Sequence, residues 1–375
     1  MEVMAPLFTE EFGNAASHTH AYGWRAEAVV ELARESIAEQ IGADDPRELI
    51  FTSGATESNN LAILGTLAAC RKQRPHLITV ATEHPSVLDP AAALERRGVR
   101  VTRLAVEPSG LLDPERLAEA IDDPTCLVSV MAANNEIGVL QPLEEIGALC
   151  AERGVLFHSD AAQAAGKLPL EVDRAALDLV SLSGHKVYGP KGVGALYVRR
   201  RKGGRRVRIE PILYGGGHER GLRSGTLAVP LIAGMAKALE LCALEREAET
   251  QRLRTLRDRL LELLRKGVPD LEVNGDLERR LPGNLNLAFP GAPADALMAA
   301  LPDLALSSGS ACSSARPEPS HVLRALGLPE ERIACSIRIG LGRGNRLEEV
   351  ERAAARIAEE VRSLRAARDP RPGFR

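Results

Sequence analysis

From about residue 25 to residue 240 the hydrophobic period of the chain switches repeatedly, and this alternation constrains the fold more than any other feature. The run "WRAEAVVELARESIAEQIG" repeats apolar residues at helical spacing and stops at Gly42. "ELIFTSG" reads as a short apolar strand, followed by "ATESNNLAILGTLAACRK", a helix with Thr56 and Glu57 near its start. "HLITVATEH", "VRVTRLAV", "TCLVSVMAANN", "GVLFHSDAAQ" and "LDLVSLSGHK" follow as strands. Helical runs such as "SVLDPAAALERRG" and "LEEIGALCAERG" separate most of them. Several strands are apolar on both faces, which predicts an α/β fold with a mostly parallel sheet covered on both sides. Ligands in such sheets bind at the carboxyl ends of the strands.

At 375 residues the chain is long enough for two domains. A long charged amphipathic helix around residues 240–266 predicts a bridge to a smaller α+β domain. Its strands would be "LEVNG", "GNLNLAF", "LALSSG" and "CSIRIGLG", and its helices "PADALMAALP" and "RLEEVERAAARIAEEVRSLRAA". The expected division is 9–243 for the large domain and 244–366 for the small one. The N-terminal residues 1–8 are expected to join the small domain, and 367–375 to form a flexible tail.

A formal net charge of −3 provides no basic field for nucleic acid or an anionic membrane, so neither is expected as a partner. No apolar run approaches the ~20 residues of a membrane helix. "MEVMAPLFTEEFG" lacks the order of a signal peptide, and a cytoplasmic protein is expected. The six cysteines form no CxxC pair and no zinc-finger spacing, so no metal site is expected. Cys70, Cys126, Cys150, Cys242 and Cys335 lie in apolar surroundings, where a cysteine is usually a small buried hydrophobe. Cys312 differs, because "SSGSACSSARPEPS" offers almost nothing apolar to bury it. Such small-residue loops often carry function, although an idle exposed thiol is the alternative.

The chemistry-bearing residues stand at strand ends. Gly54, Ala55 and Thr56 lie where a strand turns into a helix, an anion site by its free N–H groups and dipole. It is neither a Walker A sequence nor GxGxxG, and Thr56 as a plain helix cap is the competing reading. "VATEHPSV" ends a strand on His84, and "FHSDAAQ" ends another on Asp160, with Gln163 three residues on. A buried acid needs a donor or cation to stay charged; the alternative is a cap on "AAQAAG". Lys186, in "SLSGHKVYGPKG", ends the next apolar run among small residues. A phosphate site, a ring-facing acid, an imidazole and a lysine amine together meet the requirements of pyridoxal 5'-phosphate.

The stretches "FTSGATESNNLAI", "TEHPSVLD", "NNEIGVLQP", "SDAAQAAGKLP", "SLSGHKVYGPKGVGALYVRR", "GGGHERGLRSGT", "LSSGSACSSA", "PSHVLRALG" and "SIRIGLGR" resemble the cysteine desulfurases of the NifS/IscS family, from about Phe12 to Arg343. The resemblance implies a pyridoxal-phosphate-dependent transferase of fold type I, in the class V aminotransferase superfamily, acting as a homodimer. By it, Lys186 is the Schiff-base lysine and Cys312 the persulfide-forming cysteine. Ala55, Thr56, Ser183 and His185 are contacts on the cofactor's phosphate side. Thr226 is a phosphate contact that the family supplies from the other subunit. Asp160 pairs the ring nitrogen, Gln163 the ring hydroxyl, and His84 stacks on the ring as an acid/base. Asn135 and Arg338 hold the substrate carboxylate, and Asn135 also lies by the cofactor.

The implied reaction converts L-cysteine to L-alanine and leaves a persulfide on Cys312 for an acceptor such as an iron–sulfur scaffold. The Cys312 persulfide would meet iron–sulfur only transiently, on that partner. Selenocysteine lyase, class V aminotransferase and a non-catalytic scaffold of the same fold are the alternatives. Family members begin with a segment reading roughly "YLDYAATTP" near the substrate, and this sequence starts after it, a departure that bears on substrate binding. "VRRRKGGRRVR" at 198–208 reads as a solvated hairpin tip, or as a basic face that steers an acidic sulfur acceptor.

Overall fold

Seven runs pair into one sheet: β1 (Leu49–Thr52), β2 (His76–Val80), β3 (Arg100–Leu104), β4 (Thr125–Ser129), β5 (Leu156–Asp160), β6 (Leu179–Ser183) and β7 (Gly194–Val198). The computed structural model describes residues 1–200, 207–309 and 319–368. Across the sheet the order is β1-β7-β6-β5-β4-β2-β3. β7 is antiparallel to both neighbours, and the other four pairings are parallel. β1 to β6 therefore all point one way, and β7 alone is reversed. β1, β2, β4, β6 and β7 are buried along their whole length, as strands covered on both faces should be. β3, at the edge, exposes Arg100 and Arg103.

Two helices precede the strands, α1 (Ala5–Thr9) and α2 (Ala21–Gln40), and α3 (Ala55–Ala69), α4 (Pro85–Glu95), α5 (Pro114–Ala120), α6 (Leu143–Glu152) and α7 (Val229–Gly267) come after β1, β2, β3, β4 and β7. Leu61 and Ile63 of α3 join Ile50, Leu77, Leu127 and Leu196 of the sheet in one buried cluster. Residues 304–309, "LALSSG", do not form the expected strand; Ser307 makes only an isolated bridge to Arg338. The long helix starts at Val229, well before residue 240, because its first turns are apolar and buried rather than charged.

The chain divides into two compact units. The first holds Met1–Leu104, Leu112–Ala133 and Gln141–Arg246; the second holds Ala105–Leu111, Asn134–Leu140 and Glu247–Arg375. Residues 1–8 group with the first unit, not with the second as expected. The reason is packing: Leu7 is buried, and Met4 lies against Gly234 of α7. In the second unit β8 (Glu272–Val273), β9 (Asn284–Ala288) and β10 (Ser336–Gly340) form an antiparallel sheet, with β9 central. α8 (Ala294–Ala300), α9 (His321–Ala325), α10 (Glu330–Ala334) and α11 (Leu347–Arg368) complete it. Leu285, Leu287, Ile337 and Ile357 lie in its core.

Cys150, Cys242 and Cys335 are buried, as expected of small hydrophobes. Cys70 and Cys126 instead form a disulfide, joining the end of α3 to β4. Their spacing of 56 residues carries no local signal of that pairing.

Candidate functional site

Because β1, β2, β5 and β6 run the same way, their carboxyl ends share one edge of the sheet, and Ala55, Thr56, His84, Asp160, Ser183, His185 and Lys186 stand at or just past those ends. After β1, Gly54 is the N-cap of α3 and supplies no capping side chain. A Cβ at Gly54 would meet nothing within 4 Å, whereas one at Gly194 of β7 would lie 2.6 Å from the Cα of Gly54. The turn is thus pressed to the sheet on one side and open on the other. Gly54 takes φ +152°, which only glycine adopts readily. The first turn of α3 ends in N–H groups that no side chain caps, beside the exposed hydroxyl of Thr56. That is a donor set for an anion. Thr56 is therefore not the cap of α3.

At the end of β5, Asp160 is 5% exposed. Its Oδ2 accepts from Asn59 Nδ2 of α3 at 2.7 Å, and its Oδ1 from the Ala162 N–H at 2.9 Å. It does cap the following turn, but with one oxygen only. The second proton of the Asn59 amide goes to Ser86 Oγ at 2.8 Å, and Ser86 Oγ lies 2.8 Å from Nδ1 of His84. His84, half-buried, also caps α4 by accepting the Ser86 N–H at Nδ1, 3.1 Å away. Glu83, fully buried beside it, accepts the Met131 N–H at Oε1. Burial pushes the Glu83 carboxyl well above the ordinary glutamate range, and the charge of Asp160 adds to that rise.

Past β6, Ser183 Oγ pairs with His185 Nδ1 at 3.0 Å, and Lys186 closes a single 3₁₀ turn, both His185 and Lys186 being exposed. Burial and then the charges of Lys186 and Lys191 lower the His185 pKa, favouring a neutral ring. Gln163 Oε1 accepts from Lys167 Nζ at 3.0 Å. Thr226 is exposed, three residues beyond Arg223, which pairs with Glu57 of α3 at 2.7 Å.

The second unit carries the other two predicted residues. Arg338 of β10 donates from Nη1 to the carbonyl of Asn135 at 2.8 Å, and both are half-buried. The next residue, Glu136, accepts from Ser320 Oγ at 2.6 Å. Cys312 lies outside the described residues, as do residues 201–206 of the basic stretch.

Asn59, Ser86 and Glu83 escape a reading of the sequence. Asn59 and Ser86 are polar residues buried inside helical runs, and the only signal is a polar residue on an otherwise apolar face.

The sequence profile described as aminotransferase class-V matches residues 1–353. The chain belongs to the aminotransferase class-V family. Within the family it is 54% identical over 365 residues to the cysteine desulfurase IscS of Anaeromyxobacter sp. (strain Fw109-5), covering 97% of this chain and 89% of that protein. Among solved structures, a NifS-like protein superposes with a TM-score of 0.87 at 35% identity, over 96% of this chain and 95% of that one. SspA in complex with cysteine superposes with a TM-score of 0.78 at 37% identity, over 91% and 94%. No helix among the described residues is long and apolar enough to cross a membrane.

Proposed function

We propose that this family member is a cysteine desulfurase that uses pyridoxal 5'-phosphate, converts L-cysteine to L-alanine and leaves a persulfide on Cys312. The observation that carries the reading is Asp160, a buried carboxylate whose oxygens are oriented by Asn59 and Ala162 at the same sheet edge as Lys186. A buried carboxylate of this kind suits a protonated ring nitrogen.

The donor set at that edge fits the cofactor. The uncapped start of α3 at Ala55 and Thr56, with Ser183 and His185, would hold the phosphate, aided by Thr226 of a second copy. Gln163 would meet the ring hydroxyl, His84 would stack on the ring, and Lys186 would hold the aldehyde carbon. When bound, the cofactor supplies an electron sink for charge that develops at the substrate's α-carbon.

The rest is work for this chain's own side chains. Arg338, with Asn135, binds the substrate carboxylate through its planar fork. Lys186 Nζ moves the α-proton. The Cys312 thiolate bonds to the substrate sulfur as the carbon–sulfur bond breaks, and the bonding pair stays with the fragment that leaves, once protonated, as alanine. The persulfide sulfur then passes to an acceptor such as an iron–sulfur scaffold, in the cytoplasm. Exposed Phe8, Phe12, Tyr22 and Trp24 support a homodimer, since a lone soluble chain rarely displays so much aromatic surface.

L-cysteine added to the cofactor-loaded protein should yield alanine, and sulfide once a thiol reductant is present. Lys186→Ala should remove the visible absorbance of the bound cofactor; Cys312→Ser should keep it and stop sulfide release. Undiminished sulfide release from Cys312→Ser overturns the assignment.

A further inference from the structure

The path from Asp160 to His84 runs through two residues that touch neither end by accident of sequence: Asn59 from α3 and Ser86 from α4. Hydrogen-bond accounting assigns a direction to each link. The Ser86 backbone N–H can only donate, and at 3.1 Å it biases Nδ1 of His84 toward accepting, a bias that the closer Ser86 hydroxyl at 2.8 Å has to complete. Asn59 Nδ2 has two protons, one directed to Asp160 Oδ2 and the other to Ser86 Oγ. With its oxygen accepting from Asn59, Ser86 turns its own proton toward His84 Nδ1. Turning the Asn59 amide over would place its oxygen against the Asp160 carboxylate, so the charge of Asp160 sets the sense of the whole row. Asn59 is 0% exposed and Ser86 7% exposed, and water has little access to either.

We propose that Asn59 and Ser86 are positioning residues that tie the carboxylate of Asp160 to the tautomer of His84, keeping the imidazole neutral with its proton on Nε2. The value of this row for catalysis rests on the cofactor reading given above; the row itself does not. Its consequence is that His84 offers the site an N–H at Nε2, a proton to give, rather than a free lone pair. The same amide that orients Asp160 therefore decides which way His84 can move a proton. A residue that merely capped α4 would need the Ser86 N–H and nothing beyond it.

The test uses the holoenzyme with ¹⁵N-labelled histidine rings, and the His84 signals are assigned by their loss in His84→Asn. Wild type should show His84 as a single Nε2–H tautomer. Ser86→Ala and Asn59→Ala should each bring in the second tautomer and lower kcat about tenfold with KM changed no more than about twofold. Ser86→Thr, which keeps the hydroxyl, should restore both. If Asn59→Ala fails to fold, Ser86→Ala decides alone. A His84 that keeps one Nε2–H tautomer in these variants, whatever they do to thermal stability, reduces the row to a helix cap and overturns the proposal. A wild-type ring protonated at Nδ1 does the same. Visible absorbance of Lys186→Ala, measured in parallel, tests the cofactor reading by itself, so the two failures are told apart.

Discussion

Arg34 of α2 and Glu219 meet in a buried two-pronged pair, Nη1 to Oε2 at 3.0 Å and Nη2 to Oε1 at 2.8 Å, although 185 residues separate them. Glu219 Oε2 also accepts the Phe51 N–H of β1 at 2.8 Å, and the Arg34 guanidinium lies 4.7 Å from the Phe51 ring centroid. The segment that leads to Thr226 is thus fastened to the strand before α3. Glu219 and Arg220 hold φ of +48° and +58°, a left-handed pair that persists only where surrounding contacts enforce it. Glu219→Ala leaves the buried Arg34 guanidinium with only the exposed carboxylate of Glu31, 3.1 Å from its Nε, and should cost about 3–5 kcal/mol in urea unfolding. An unchanged urea midpoint contradicts this.

Glu83 should make stability fall as the pH rises. Burial, reinforced by Asp160, raises its carboxyl well above the ordinary value of 4.5. The folded state therefore holds a proton that the unfolded state releases above that value, and the stability present at lower pH is lost toward the folded pKa. Glu83→Gln imitates the protonated form, so its stability should improve relative to wild type between about pH 5 and pH 8. Urea midpoints at the two pH values test this; parallel curves for the two proteins would count against it. His158 acts with the opposite sign, its pKa lowered by burial from 6.5 to about 3. Its contribution is present above 6.5 and lost as the pH falls toward the folded value.

Gly309 stands where no side chain fits. A Cβ there would lie 2.2 Å from Glu136 Oε2 and 2.5 Å from the Cβ of Ser320, on the two partners of a buried hydrogen bond. Gly309→Ala should displace that bond and destabilise the protein by about 1–3 kcal/mol. Thermal unfolding reads it, and a midpoint equal to wild type would show that Glu136 swings away freely.

Arg338→Lys keeps the charge on β10 and removes the fork. If the guanidinium grips the substrate carboxylate, KM for L-cysteine should rise at least about tenfold, with the cofactor absorbance intact. Steady-state alanine production measures it. An unchanged KM would place the carboxylate elsewhere.

Much of the candidate site is legible residue by residue. Thr56, His84 and Lys186 each follow a strand and Asp160 ends one, where an apolar run gives way to a turn, and both run and turn are local patterns. The start of the long helix is less legible, since its first turns are apolar and show no charged face before residue 240. "LALSSG" has a strand's composition but only one bridging partner, at Arg338. Asn59 reads as an ordinary polar residue in a helix until Asp160, 101 residues away, is brought against it.

The sequence by itself determined most of the strands and helices and which side chain stands at the ends of β1, β2, β5 and β6, because hydrophobic period and turn chemistry act over a few neighbouring residues. It determined neither β7 nor the failure of "LALSSG" to pair. Only the tertiary structure decided that β5 lies between β4 and β6 and that β7 is reversed. It alone joined Cys70 to Cys126, Arg34 to Glu219, and Asn59 to both Asp160 and Ser86. Those pairings connect segments far apart in the chain, and they form where burial leaves a polar group no solvent and one partner within reach.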